Sequence, residues 1–316
     1  MKRAFTLVAI VLSLLAVINC GGCGRRTIAK LDKEPQVSVV DKAGAERSMP
    51  IEEYVMAVVA GEMGQLPAAG EGGGSWPDNA YAAQAILARS FIMEYLSAHE
   101  GAAITTDVEE AQAFKPEGVT PQIRQAVNST RGMVLVSNGR YLKTWFHSYS
   151  GGRTATASEG LNYKAEAPYT KSVKLPNNEY VPANRKHWTT SFTKSEIKQA
   201  LEAKGMTIGD ITNITIAQRG PSGRVTQVLI TSQQGTRTMH GAEFRLALGA
   251  EKMLSTLVDQ DGLQVRGEQV IMSGSGFGHG VGLSQWDAYK LAKEGKSPEQ
   301  IVMVFFQNAR VEKAWD

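Results

Sequence analysis

Glu62 is the residue of this sequence whose type and position are best suited to chemistry. It closes a series of apolar residues that recur at helical spacing after Pro50, namely Ile51, Tyr54, Val55, Val58 and Val59. Burial among aliphatic side chains disfavours the charged form of a carboxyl group and raises its pKa, so that it can donate a proton near neutral pH. Such a group suits cleavage of a glycosidic bond. The alternative is that the apolar series ends here and Glu62 is solvated.

A second charged residue on an apolar helical face is Arg89. It lies in the run 80–96, where strong helix formers follow Pro77 and predict a second helix. The guanidinium could pair with a buried carboxylate, hold an anionic group of a substrate, or extend to solvent. The stretch 64–76 between the two helices is rich in glycine and is predicted to be a loop.

Polar residues and glycines follow a predicted strand in the segment 146–154. His147 and Ser148 supply polar groups there, and the glycines that begin at Gly151 allow the backbone to approach a ligand closely. A Ser/His nucleophile system is disfavoured for this pair, because adjacent residues of a strand point to opposite faces.

Glycine alternates with other residues in the most distinctive segment, which reads G-S-G-F-G-H-G-V-G-L-S-Q-W from 274 to 286. Alternate glycines at the entrance to a helix free successive N–H groups to converge on an anionic or carbonyl oxygen. Nucleotide binding is disfavoured, since the lysine of a phosphate loop and the dinucleotide spacing are absent. His279 has no second histidine close to it in sequence and could form only a distant metal pair with His147. We predict no metal and no other cofactor.

The remaining pattern predicts an α+β fold. Asn138-Gly139 favours a hairpin between strands at 133–136 and 141–146. Further strands are predicted at 211–217, 225–231, 236–239 and 264–272, and further helices at 286–293 and 298–306. Because strands and helices do not alternate regularly, we expect mixed hairpins and helices in one compact catalytic region with a β-rich inserted portion.

The N-terminus has the pattern of an export signal, in which Lys2 and Arg3 precede an apolar stretch that is short for a membrane span. Residues 1–23 are predicted to be a signal peptide, a lipoprotein segment with Cys20 or Cys23 as the anchor, or an uncleaved signal anchor. Residues 24–36 are predicted to form a tether, and residues 37–316 are predicted to form one domain. The formal net charge of +3 gives no indication of a basic surface that would bind nucleic acid. We expect an exported protein of the cell envelope, membrane-anchored or periplasmic.

Five blocks of the sequence resemble, in the same order, the stage II sporulation protein D family, which includes amidase enhancers of bacterial cell walls. The blocks are I-E-E-Y-V-M-A-V-V-A-G-E-M from 51, S-W-P-D-N-A-Y-A-A-Q-A-I-L-A-R-S-F from 75, H-S-Y-S-G-G-R-T from 147, S-G-R-V from 222 and G-F-G-H-G-V-G-L-S-Q-W from 276. The resemblance extends from about residue 37 to near the end of the chain.

This resemblance implies a lytic transglycosylase that cleaves peptidoglycan between N-acetylmuramic acid and N-acetylglucosamine and leaves 1,6-anhydro ends. Glu62 would be its acid/base carboxylate, and the residues that line its glycan groove would be Arg89, His147, Ser148, Gly151, His279, Ser284 and Gln285. The enhancer members imply instead a non-catalytic wall-binding protein that stimulates a cell-wall amidase. A hydrolase that uses water in place of the substrate hydroxyl is a third possibility.

Two features depart from the family pattern. The loop after Glu62 is longer than usual, and Asp287 follows Q-W where glycine is common. Some sporulation members also have a zinc site of histidine and cysteine near the H-S segment. No cysteine lies near His147 in this sequence, so the resemblance does not change the prediction that zinc is absent.

Overall fold

The computed structural model describes residues 26–64, 66, 74–107, 111–165 and 167–316. The predicted export segment 1–23, the start of the predicted tether and most of the glycine-rich loop after Glu62 lie outside these residues. In the part of the chain that is described, no helix is long and apolar enough to span a membrane.

The helices of the described residues are α1 Ile51–Glu62, α2 Asp78–Ala98, α3 Pro121–Ser129, α4 Ala157–Leu161, α5 Ala183–Lys186, α6 Lys194–Glu202, α7 Gly241–Leu248, α8 Gln285–Lys293 and α9 Pro298–Phe305. Their strands are β1 Gln36–Val40, β2 Glu46–Pro50, β3 Ile104–Thr105, β4 Met133–Ser137, β5 Arg140–Tyr141, β6 Phe146–His147, β7 His187–Thr193, β8 Ile211–Arg219, β9 Val225–Ser232, β10 Gly235–His240, β11 Val258–Arg266, β12 Gln269–Ser275, β13 Leu283–Ser284 and β14 Arg310–Lys313. The predicted α+β class is confirmed.

The described strands form small sheets instead of one large sheet. Their orders are β2-β1-β3, β14-β4-β5, β13-β6, β10-β9-β8 and β11-β12-β7. The first sheet contacts α1, the second contacts α2, and β13 of the third contacts α8 and α9. Helix α2 contacts α1, α3, α8, α9 and β4. The last two belong to a β-rich portion that has its own apolar core around Phe192, Ile214, Val228, Phe244 and Met272.

The predicted hairpin at Asn138-Gly139 is present, but its second strand is short. Both turn residues have positive φ, 50° at Asn138 and 72° at Gly139, as this tight turn requires. After β5 the chain leaves the ladder, and the hydroxyl of Thr144 donates to the carbonyl oxygen of Leu87 in α2 at 2.7 Å. It then forms β6, which pairs in parallel with β13. The prediction of one strand over 141–146 is therefore wrong, because the chain runs along α2 between β5 and β6.

The predicted strand 264–272 is also wrong in its boundaries. The chain turns at Gly267, where φ is 57°, and the segment is divided between β11 and β12. These two strands pair in antiparallel register, with Val265 opposite Val270. Both halves carry alternating apolar residues, so periodicity alone did not reveal the turn between them.

A buried ion pair joins the two long helices. Arg89 of α2 binds Glu52 of α1 through two hydrogen bonds, at 3.1 Å from Nε and 2.7 Å from Nη2. Glu52 also accepts from the backbone N–H of Gly132 at 2.9 Å, and Arg89 donates to the carbonyl oxygen of Met133 at 2.8 Å. Both side chains are almost completely inaccessible to solvent. The pair therefore fixes α1, α2 and the start of β4 to one another.

Removal of one partner of this pair should destabilise the protein strongly. We expect Arg89→Met to lower the free energy of unfolding by about 3–5 kcal/mol, because the carboxylate of Glu52 would remain buried without its cation. Urea unfolding measures this loss. The matched control is Lys198→Met, which breaks the more exposed Lys198–Asp210 pair and should cost less than about 1 kcal/mol. Equal losses in the two variants would contradict the assigned role of Arg89.

Candidate active site

Glu62 is the last residue of α1 and lies in the wall of a small cavity. The cavity has a volume of about 220 Å³ and is lined by Glu62, Phe91, Ala111, Gln112, Thr144, Trp145, Phe146 and His279. The Oε1 atom of Glu62 accepts a hydrogen bond from the backbone N–H of Ala113 at 2.6 Å. The carboxyl group is half-buried, so the fully solvated alternative does not describe its environment.

The surroundings of Glu62 favour its protonated form. Burial raises the pKa of the carboxyl group to about 7, and the hydrogen bond from Ala113 acts in the opposite direction without cancelling this effect. A group with such a pKa is protonated in a large fraction of molecules near neutral pH and can also accept a proton after it has donated one.

Gly61 allows the segment that contacts Glu62 to approach α1. A Cβ atom at this position would lie 2.6 Å from the carbonyl oxygen of Ala113, closer than packed atoms tolerate. The backbone N–H of Lys115 also donates to the carbonyl oxygen of Ala57 at 3.0 Å. The absence of a side chain next to Glu62 is therefore what brings the N–H of Ala113 within reach of the carboxylate.

The end of α1 is held by aromatic residues and by Gln285. The indole of Trp76 donates to the carbonyl oxygen of Met63 at 3.1 Å, and its ring centroid lies 4.9 Å from that of Trp286. Gln285 is buried and donates to the carbonyl oxygen of Glu62 at 3.4 Å. Gln285, which was predicted to contact substrate, thus lies beside Glu62 and contacts its backbone.

His279 belongs to the cavity wall, whereas His147 lies behind it with its ring centroid 5.5 Å from that of His279. Nδ1 of His279 accepts from the N–H of Val281 at 3.0 Å, and Nδ1 of His147 lies 3.1 Å from the carbonyl oxygen of Val281. Burial and the nearby Arg245 and Arg224 lower the pKa of His279 to about 3. Burial, His279 and Arg224 lower the pKa of His147 well below its ordinary value. Both imidazoles are therefore neutral at physiological pH.

The glycines of the 274–286 segment serve close packing. A Cβ atom on Gly278 would lie 2.7 Å from Cβ of His147, and one on Gly280 would lie 2.3 Å from Nε of the buried Arg224. The N–H groups of Phe277 and Gly278 donate to the carbonyl oxygens of Tyr149 and Leu254. Our expectation that successive N–H groups of this segment converge on a ligand oxygen is corrected for Phe277 and Gly278, because carbonyl oxygens of the protein already accept their hydrogen bonds.

Several residues predicted to contact substrate lie outside the cavity wall. Arg89 pairs with Glu52 in the interior, which is inconsistent with its holding a substrate group. Ser284 is buried, donates to Asp287 at 2.5 Å and accepts from the N–H of Ser150 at 3.0 Å. Gly151 packs against Leu257, and Ser148 is half-exposed next to His147.

Two residues of this region were missed by the sequence analysis. Gln112 lines the cavity, and nothing in its local pattern indicates a site. Asp287 was noted only as a departure from the family, yet its buried carboxylate accepts hydrogen bonds from Ser150, Ser284 and Asn178. Among the described residues, no three histidine, cysteine, aspartate or glutamate side chains are grouped so that they could hold a metal ion.

A half-buried carboxyl group with a pKa near neutrality, placed in a small cavity of an α+β fold, is the arrangement that general acid/base catalysis requires. Comparison with known proteins identifies the family. A model described as "Stage II sporulation protein" matches residues 41–136, and a model of a domain of unknown function matches residues 139–282.

Stage II sporulation protein D of Bacillus subtilis (strain 168) is 30% identical over 287 residues, which cover 84% of this chain and 76% of that protein. The protein of the same name from Bacillus amyloliquefaciens is 28% identical over 303 residues, covering 89% and 80%. The amidase enhancer of Bacillus subtilis (strain 168) is 24% identical over 281 residues, covering 73% of this chain and 38% of the enhancer. The chain belongs to the stage II sporulation protein D family.

The packing at Gly61 yields a test of how Glu62 is positioned. We expect Gly61→Ala to lower the free energy of unfolding by about 1–3 kcal/mol, because the new methyl group would displace the backbone of Ala113. Gly118→Ala is the matched control, since its Cβ atom would meet only side-chain atoms at 3.4 Å. Urea unfolding of both variants measures the difference. If Gly61→Ala lowered the free energy of unfolding no more than Gly118→Ala does, the close contact would not constrain the site.

Proposed function

We propose that this protein is a lytic transglycosylase that cleaves the glycosidic bond between N-acetylmuramic acid and N-acetylglucosamine in peptidoglycan. The observation that carries this proposal is the half-buried carboxyl group of Glu62, whose pKa of about 7 suits both donation and acceptance of a proton. Membership of the stage II sporulation protein D family supports a role at the cell wall.

In the proposed reaction Glu62 acts first as an acid and then as a base. Its proton passes to the glycosidic oxygen as the bond between that oxygen and C1 of N-acetylmuramic acid breaks. The 6-hydroxyl of the same sugar attacks C1, a C1–O6 bond forms, and the hydroxyl proton returns to Glu62. The products are a 1,6-anhydro end and a free 4-hydroxyl, and the carboxyl group is again protonated.

This reaction needs only one carboxylate. The attacking hydroxyl belongs to the substrate, so no second acid has to activate water or form a covalent intermediate. The described residues of the cavity wall accordingly contain one carboxylate, Glu62, beside the neutral His279. In this proposal Ser148 extends the glycan groove, while Gln285 positions the end of α1.

A second candidate function is the non-catalytic enhancement of a cell-wall amidase. The observation that favours it is the 24% identity to an amidase enhancer over 281 residues. In that case the cavity would bind the wall polymer and the charge state of Glu62 would not matter. For both functions we propose that the protein is exported and acts in the cell envelope, attached through its N-terminal segment or a lipidated cysteine.

Replacement of Glu62 distinguishes these functions. Purified protein is incubated with intact and with peptide-free sacculi, and the products are identified by mass spectrometry. We expect Glu62→Gln to reduce the yield of anhydro ends by at least about 100-fold, because the amide cannot donate the proton. Glu53→Gln, an exposed position on the same helix, is the matched control and should retain activity.

Anhydro ends at wild-type yield in Glu62→Gln would contradict the proposal. Products that have gained a water would indicate a hydrolase instead. Cleaved stem peptides in the presence of an amidase, with equal stimulation by Glu62→Gln, would indicate the enhancer function.

A further inference from the structure

We infer that Gln112 determines specificity in this cavity, and that its side-chain amide donates a hydrogen bond to the carbonyl oxygen of an N-acetyl group on the bound sugar. The inference rests on the proposed function, because it takes the ligand to be a glycan strand. Beyond that function, it identifies the N-acetyl group as the substituent that the cavity recognises and Gln112 as the residue that binds it.

The amide of Gln112 is buried and incompletely paired. The residue is 3% exposed, and its Oε1 atom lies 3.5 Å from the hydroxyl group of Tyr54. Its Nε2 atom is inaccessible to solvent and has no hydrogen-bond partner among the residues that the structure describes. A buried N–H group without an acceptor is unfavourable. A turn of this side chain toward the adjoining cavity would let a ligand oxygen supply the missing acceptor.

Gln112 is positioned together with the acid of the proposed reaction. Its neighbour Ala113 donates to Glu62 at 2.6 Å, and both Gln112 and Glu62 line the same cavity. The tight packing of Gly61 against Ala113 places this segment. A sugar held by Gln112 would therefore lie next to the proton of Glu62.

Two other polar groups of the wall already have partners within the protein. The hydroxyl of Thr144 donates to the carbonyl oxygen of Leu87, and Nδ1 of His279 accepts from the N–H of Val281. Gln112 thus provides a buried, unpaired donor in the described wall.

The wall also contains four apolar residues, which suit the methyl part of an acetamido group. Phe91, Trp145 and Phe146 contribute aromatic rings, and Ala111 contributes a methyl group. An acetamido group combines a carbonyl acceptor with a methyl group, which matches an amide donor with apolar side chains in the same wall. A free ammonium group would offer Gln112 only another donor. The cavity should therefore discriminate against de-N-acetylated sugars.

A binding experiment tests this inference independently of cleavage. The Glu62→Gln protein, with and without Gln112→Met, is equilibrated with peptide-free glycan strands that are either fully N-acetylated or chemically de-N-acetylated. We expect Gln112→Met to weaken binding of the acetylated strands about 10-fold and binding of the de-N-acetylated strands less than about 2-fold. Thr144→Val, which removes a wall hydroxyl that is already paired, should affect both strands equally.

The inference is overturned if Gln112→Met weakens both strands equally, or if the Glu62→Gln protein does not distinguish them. Urea unfolding checks that the variants are folded. Gln112→Leu serves where Gln112→Met is unstable, because it also lacks the donor and adds no ionisable group. A lack of anhydro ends in the products of the wild-type protein would refute the proposed reaction. The difference in binding between acetylated and de-N-acetylated strands could still be measured, because the binding experiment does not depend on cleavage.

Discussion

The contact between the last turn of α1 and the backbone of Ala113 determines the chemistry that Glu62 can perform. Burial of the carboxyl group disfavours its charged form, and this contact supplies only one N–H donor to compensate. Several donors would lower the pKa, as they do for many buried carboxylates. Complete exposure would leave it at its ordinary value. The half-buried position at the end of a helix lies between these limits.

The rest of the region holds this contact in place. The Arg89–Glu52 pair joins α1 to α2, and Trp76 and Gln285 bind carbonyl oxygens at the end of α1. Behind the cavity, the buried Arg224 and Arg245 help to keep His279 neutral. A neutral imidazole beside Glu62 matters, because an imidazolium in the same cavity would favour the ionised carboxylate and lower its pKa.

Sequence periodicity located Glu62 because a long apolar series in α1 ends there, and helix start signals and helix-forming residues located α2, α8 and α9. It could not identify Ala113 as the partner of Glu62, since the two residues are 51 positions apart and a backbone N–H has no sequence signature. Glu52 lies beside the polar edge of the helical pattern, so its burial with Arg89 depended on tertiary packing. Ser284 and Gly151 carry strong motif signals, but their hydrogen bonds and close packing serve the interior.

The protonation state of Glu62 is the property on which the proposed chemistry depends, and it can be measured directly. Carbon-13 NMR of side-chain-labelled protein, with Glu62→Gln used to assign the signal, follows the carboxyl carbon of Glu62 through a pH titration. Burial of the carboxyl group predicts a midpoint near pH 7. A midpoint near 4.5, the ordinary value for glutamate, would contradict the assignment of Glu62 as a proton donor at neutral pH.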